Sequence, residues 1–169
     1  MRDQKQQHEG QKETELTVGD KAPFFIMAAS RGRTISLDSL KGTSFILYFY
    51  PRAHTPGCTQ EAVDFSHALP EFARRNVQVI GVSRDTVKKL DLFADKYNLM
   101  FPLASDIDGH VSIAYGVWVQ KKLYGKTSMG VERTTYLIDA QGIIVRVWRK
   151  VKVTGHVHAV LHAVTNSVS

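Results

Sequence analysis

The chain of 169 residues is 43% hydrophobic and 22% charged, proportions that fit one compact domain with a single core and leave too little length for two. Its single cysteine, Cys58, excludes an intramolecular disulfide framework, a zinc ribbon, an iron–sulfur cluster and a CxxC redox pair. Lys and Arg outnumber Asp and Glu by 22 to 16, a formal charge of +6, which favours loose attraction to anionic surfaces without identifying a ligand.

Residues 1–15 are polar and charged throughout, with Met1 their only large apolar side chain. They read as a flexible tail that lacks the apolar core of a secretory signal, with residues 16–169 as a single domain. The run from Phe45 through Tyr50 is β-branched and aromatic and ends at Pro51, which predicts a central strand buried on both faces. The longest apolar stretch, Phe45 to Pro51, is seven residues against about 18 for a membrane span. A cytoplasmic protein with no membrane partner is expected.

Residues 59–75 carry Ala62, Phe65, Leu69 and Phe72 at intervals of three and four, which predicts an amphipathic helix bent or split near Pro70. Val-Gln-Val-Ile-Gly-Val at 77–82 predicts a second buried strand, so the helix closes a βαβ crossover. Residues 86–98 repeat the helical spacing with Leu90, Phe93, Ala94 and Tyr97. Residues 134–138 and 143–148 flank the turn Asp139, Ala140, Gln141, Gly142 and predict a hairpin. The alternation of basic residues with Val147, Val151 and Val153 extends a solvated strand face to residue 153, and 157–164 predict a terminal helix. Together these elements describe a thioredoxin-like α/β layer, a central mixed sheet flanked by helices on both faces. Such a fold hosts redox enzymes, transferases and inert binding modules alike.

The strand ending at Tyr50 runs through Pro51-Arg52-Ala53-His54-Thr55-Pro56-Gly57 into Cys58, at the carboxyl end of a central strand, where ligand sites gather. Thr55 suits the helix cap, Pro56 the first helical position, and Gly57 a close approach by another group. Cys58 then sits among unpaired N–H groups at the positive end of the helix dipole, which favours its thiolate. A lone Cys is by type a small buried hydrophobe. A core Cys belongs on an apolar stripe, however, and this one follows a Thr-Pro-Gly turn at a helix start.

The pattern Pro51-x-x-x-Thr55-x-x-Cys58 resembles the peroxiredoxin signature. With Tyr50-Pro51, Thr55-Pro56-Gly57-Cys58-Thr59-x-Glu61-Ala62, Gly19-Asp20-Lys21-Ala22-Pro23, Tyr115-Gly116-Val117-Trp118 and Gly130-Val131-x-Arg133-Thr134-Thr135-Tyr136-Leu137-Ile138-Asp139, the chain is similar to the bacterioferritin comigratory protein or peroxiredoxin Q branch. The resemblance implies reduction of hydrogen peroxide and organic hydroperoxides through a Cys58 sulfenic acid. Thr55, the Cys58 N–H and Arg133 would bind the peroxide, Pro51 would screen the sulfur from water, and Glu61 would favour the dipole or position Arg133. Members of that branch that carry a second Cys five residues after the first have Val63 replacing it here. A one-cysteine enzyme needs an external thiol: thioredoxin, glutaredoxin or glutathione. No cofactor or metal is called for, and a monomer or weak homodimer is expected.

Alternative readings are weaker. His158 and His162 stand four apart on the terminal helix but point away from its apolar stripe, with no HExxH partner to make a metal site. His54 reads as an exposed loop residue. Lys121, Lys122, Lys126, Arg146, Arg149, Lys150 and Lys152 make the second half basic, yet no nucleic-acid motif accompanies them. A redox-inactive thioredoxin-fold interaction protein is the other rival.

Overall fold

The computed structural model describes residues 15–167, so all of the expected tail but Glu15 lies outside the described residues. Nine strands and four α-helices follow in the order β1 (Ile26–Ala29), β2 (Arg33–Ser36), β3 (Ser44–Phe49), α1 (Pro56–Arg74), β4 (Val77–Ser83), α2 (Val87–Tyr97), β5 (Leu103–Ser105), α3 (His110–Ala114), β6 (Trp118–Leu123), β7 (Lys126–Val131), β8 (Thr134–Ile138), β9 (Ile144–Trp148) and α4 (His156–Ser167). Seven strands form one mixed sheet in the order β2-β1-β5-β4-β3-β8-β9, and β6 pairs only with β7. The strands β3, β4 and β5 run parallel, while β8 lies antiparallel to β3.

The apolar run of β3 is continuous because both its faces are covered. Ile46 and Tyr48 point toward the layer of α1, α2 and α4, with Phe65, Leu90, Phe93 and Val160. Phe45, Leu47 and Phe49 point the other way, against Phe25, Val111, Tyr115 and Tyr136. The sheet is thus flanked by helices on both faces, as in thioredoxin-like proteins, although the second face has the five-residue α3, a 3₁₀ turn at Asp38–Leu40 and the segment leading into β1 in place of long helices.

Several expectations need correction. The first helix begins at Pro56 rather than Thr59 and continues through Pro70 without a break. Pro70 lies in the last turns and faces solvent, so its ring disturbs only an exposed edge. The strand face expected to reach residue 153 stops at Trp148, because Lys150 takes a positive φ of 47° that no strand accommodates. The strands β1, β2, β5, β6 and β7 and the helix α3 were not expected. The remaining elements stand within about a residue of their predicted places at most ends, and α4 is longer at both ends.

Candidate active site

The backbone leaving β3 is tied to the sheet once more, Tyr50 N–H donating to Val82 O at 3.0 Å, and then turns into a loop of five residues, 51–55. Two bonds hold that loop. Ala53 N–H donates to Asp85 Oδ2 at 2.7 Å, and the same oxygen accepts from Ser83 Oγ at 2.8 Å. Thr55 Oγ1 donates to Arg52 O at 2.8 Å. Thr55 is the N-cap by position, but its side chain makes no cap bond, so the expected capping role gives way to closing the loop. The first helical bond runs from Thr59 N–H to Thr55 O at 2.8 Å, which leaves the N–H groups of Gly57 and Cys58 without intrahelical acceptors.

Cys58 is the third residue of α1 and only 1% exposed. Arg133, in the two-residue link between β7 and β8, lies beside it. Its Nη2 donates to Cys58 Sγ at 3.4 Å and its Nη1 to Glu61 Oε1 at 2.7 Å. Cys58 and Glu61 are three apart on α1, hence neighbours on one helix face, and one planar guanidinium bridges both. A Cβ on Gly57 would stand 3.3 Å from Arg133 Nη2, so the group that closely approaches Gly57 is this guanidinium. The backbone of Arg133 is anchored in turn, its carbonyl accepting from Val151 N–H at 3.0 Å.

Glu61 is fully buried, and its Oε2 has no hydrogen-bond partner among the described residues. Burial pushes its carboxyl up to about 7 despite the pull of Arg133. Burial also weighs against the guanidinium charge, but Glu61 and then Cys58 more than offset it, so Arg133 holds its proton more firmly than usual. Behind this pair, His156 Nε2 lies 2.8 Å from Thr135 Oγ1. Burial, helped by the Arg133 charge, lowers that imidazole to about 4. The inner face of α1 rests on Tyr48, whose ring stacks on Phe65 at 4.5 Å with its hydroxyl over Gly81.

The structure brings together Cys58, Arg133 and Glu61, with Thr55 one turn earlier and Pro51 half-buried at the head of the loop. His54 lies on the exposed side of that loop, its ring 5.0 Å from Phe93. His158 and His162 are exposed on α4, far along the chain from the thiol, and His162 Nε2 lies 3.1 Å from Asn166 Nδ2. Asp85 escaped the sequence reading. Its signal was the polar Ser83-Arg84-Asp85 at the carboxyl end of β4, the strand beside β3.

A buried thiol at a helix start, flanked by a permanent cation on a thioredoxin-like sheet, defines the class of cysteine-dependent redox enzymes. The sequence profile of the AhpC/TSA family matches residues 18–147. A Coxiella burnetii protein named putative peroxiredoxin bcp is 49% identical over 146 residues, covering 86% of this chain and 97% of its own length. Peroxiredoxin Bcp of Bacillus subtilis is 44% identical over 142 residues, 84% of this chain and 90% of its own. Among solved structures, the bacterioferritin comigratory protein of Xanthomonas campestris, described for alkyl peroxide reduction, superposes with a TM-score of 0.83 at 41% identity, covering 86% of this chain and 92% of that one. The chain belongs to the AhpC/TSA family and, within it, to the bacterioferritin comigratory protein or peroxiredoxin Q branch, as a one-cysteine member. It is a thiol peroxidase, with a peroxide as substrate and a thiol as reductant.

Proposed function

We propose that Cys58 is the peroxidatic sulfur, acting on hydrogen peroxide and organic hydroperoxides. Its thiolate attacks the terminal peroxide oxygen: an S–O bond forms, the O–O bond breaks, and the departing oxygen leaves with the electron pair and takes a proton from solvent. Negative charge moves from sulfur to that oxygen, so fixed donors along the S···O···O line stabilise the transition state more than the ground state. Arg133 and the Cys58 N–H supply them. The Thr55 hydroxyl, its proton directed at Arg52 O, offers its lone pairs to a peroxide O–H, and Pro51 shields the sulfur. Glu61 holds Arg133 in place.

The sulfenic acid is then attacked by an external thiol, forming a mixed disulfide and water, and a second thiol releases Cys58. Thioredoxin, glutaredoxin or glutathione fits this step, and dependence on an outside thiol suits the cytoplasm, where such thiols are kept reduced. Cys58, Thr55, Glu61 and Arg133 come from one chain, which supports a monomer or weak homodimer. No nucleic acid or membrane enters the reaction. Among the described residues, no helix is long and apolar enough to cross a membrane.

The observation that carries this reading is the 3.4 Å contact of Arg133 Nη2 with Cys58 Sγ at the start of α1. Its test is to give the reduced protein one equivalent of peroxide and follow peroxide loss together with the site of the added oxygen. Oxygen on Cys58, and a Cys58→Ser variant that folds normally but consumes none, is the expected result; residual turnover in that variant would sink the covalent mechanism.

A further inference from the structure

The ribbon β6–β7 carries groups that neither the core nor the peroxide chemistry uses. Every residue from Gln120 to Met129 is exposed, and among the described residues the two strands pair only with each other. A two-stranded ribbon without a buried face is marginal in water, and its open edges leave ladder groups unpaired. Lys121, Lys122 and Lys126 lie on it, with no Asp or Glu from Trp118 to Val131. Among the described residues, none of these lysines forms an ion pair. At its tip Tyr124 is 95% exposed and takes a φ of 53°, next to Gly125 at 75°. Leu123 and Met129 are exposed as well. Exposed Tyr124, Leu123 and Met129 among lysines that no carboxylate neutralises make a surface that attracts an acidic partner and has apolar area to pack against it.

Both roots of the ribbon lead to the thiol. At one end β7 passes through Glu132 to Arg133. At the other, Trp118 lies 4.4 Å under the Arg84 guanidinium, and the next residue, Asp85, holds the loop before Cys58. Tyr124 stands nine positions before Arg133, so the tip lies at most about 30 Å along an extended strand from the site. A standard interface of about 800 Å² per partner is a disc about 30 Å across. An interface of that size with Cys58 near one edge therefore spans the interval to the ribbon, whereas a small thiol does not.

We propose that the β6–β7 ribbon is the docking element for a protein dithiol reductant with an acidic surface around its reactive cysteine. Lys122 and Lys126 steer that partner, and Tyr124 and Leu123 pack against it. The inference rests on the reading of Cys58 as a sulfenic acid reset from outside. The partner's thiolate attacks the Cys58 sulfur, an S–S bond forms, the S–O bond breaks, and hydroxide leaves as water after taking a proton. The partner's second thiol then frees Cys58 and leaves the partner as its own disulfide.

The test compares wild type with a Lys122→Glu/Lys126→Glu variant and with Tyr124→Ser, using reduced thioredoxin, reduced glutaredoxin and dithiothreitol as reductants. Lys121 is left in place because its Nζ donates to Val131 O within the ribbon. The charge-reversed variant is expected to raise KM for the preferred protein reductant about tenfold or more at low salt, with the gap closing as ionic strength rises. Tyr124→Ser is expected to raise it at every salt. Oxidation by peroxide and turnover with dithiothreitol stay at wild-type rates in both, which shows that the site is intact. Unchanged KM values in the variants overturn the docking assignment, as does a wild type that turns over no faster with either protein than with equal dithiothreitol. A wild type that forms no Cys58 sulfenic acid instead removes the peroxidase mechanism beneath it.

Discussion

The guanidinium of Arg133 divides its donors between the Cys58 sulfur and the Glu61 carboxyl, and the two contacts separate by mutation. In Arg133→Ala the thiolate and the departing oxygen both lose their cationic partner, so the second-order rate with peroxide is expected to fall about 10²-fold. Stopped-flow oxidation of the reduced protein measures it, and an unchanged rate would remove Arg133 from the site. Glu61→Gln addresses the other half. With its carboxyl at about 7 when folded and an ordinary value of 4.5, Glu61 takes up a proton on folding between those pH values. Its contribution to stability is therefore fully present below pH 4.5 and lost as pH rises through about 7, a difference of about 3 kcal/mol. His156, lowered to about 4 from 6.5, works in the opposite direction and cancels in the comparison. Denaturant unfolding across this range is expected to show the Glu61→Gln variant gaining on wild type as pH rises; parallel curves would mean that Glu61 stays ionised in the folded protein.

At the level of elements, the alternation along β3 and β4 fixes what each residue may be. Gly81 lies on the helix-layer side of β4, and a Cβ there would come within 2.9 Å of the Tyr48 ring and hydroxyl. Gly81→Ala is expected to cost about 1–3 kcal/mol as overpacking, with part of the loss recovered by adding Tyr48→Phe, read from urea midpoints. An alanine tolerated without cost would show that the ring shifts freely. The same alternation explains which elements were legible beforehand. The strands β3, β4 and β8 are mostly apolar because both their faces are covered, the exposed Gln78 and the strand-end Ser44, Ser83, Thr134 and Thr135 aside, and α1 and α2 carry clear apolar stripes. In β1 the exposed Ile26 and the buried Met27 are both apolar, which erases the period of two. The three-residue β5 and five-residue α3 are too short to show any period. The ribbon β6–β7 has no buried face to impose one. At the site, the placement of Thr55, Gly57 and Cys58 at a helix start was legible because one turn holds them, while the shielding expected of Pro51 came through the family resemblance. Arg133, 75 residues from Cys58, came only through the family resemblance. Asp85 contributes through a hydrogen bond between neighbouring strand ends that no local pattern encodes.

At the scale of the whole molecule, one thiol and a sheet without any other sulfhydryl determine how the enzyme must be reset. The position five residues after Cys58 is Val63, on the same helix. Five residues of helix advance about 7.5 Å and turn by about 140° past a full revolution, so Cys58 and a cysteine at 63 could not meet disulfide geometry without unwinding the first turns of α1. Those turns hold the Arg133 bridge to Cys58 and Glu61. Val63→Cys is therefore expected to recycle faster with thioredoxin but to unfold at lower denaturant. In the wild type no internal bridge can form, and a Cys58–Cys58 dimer would need two sulfurs, each 1% exposed, to open to within about 2.05 Å of one another. After one equivalent of peroxide, intact mass is expected to show one added oxygen on a monomer. Excess peroxide should add a second oxygen, and a small thiol supplied after the first should add its own mass in place of that oxygen. A predominantly disulfide-linked wild-type dimer on a non-reducing gel, reduced directly by thioredoxin, would overturn the external-thiol cycle and place the resolving sulfur on a second copy of the chain.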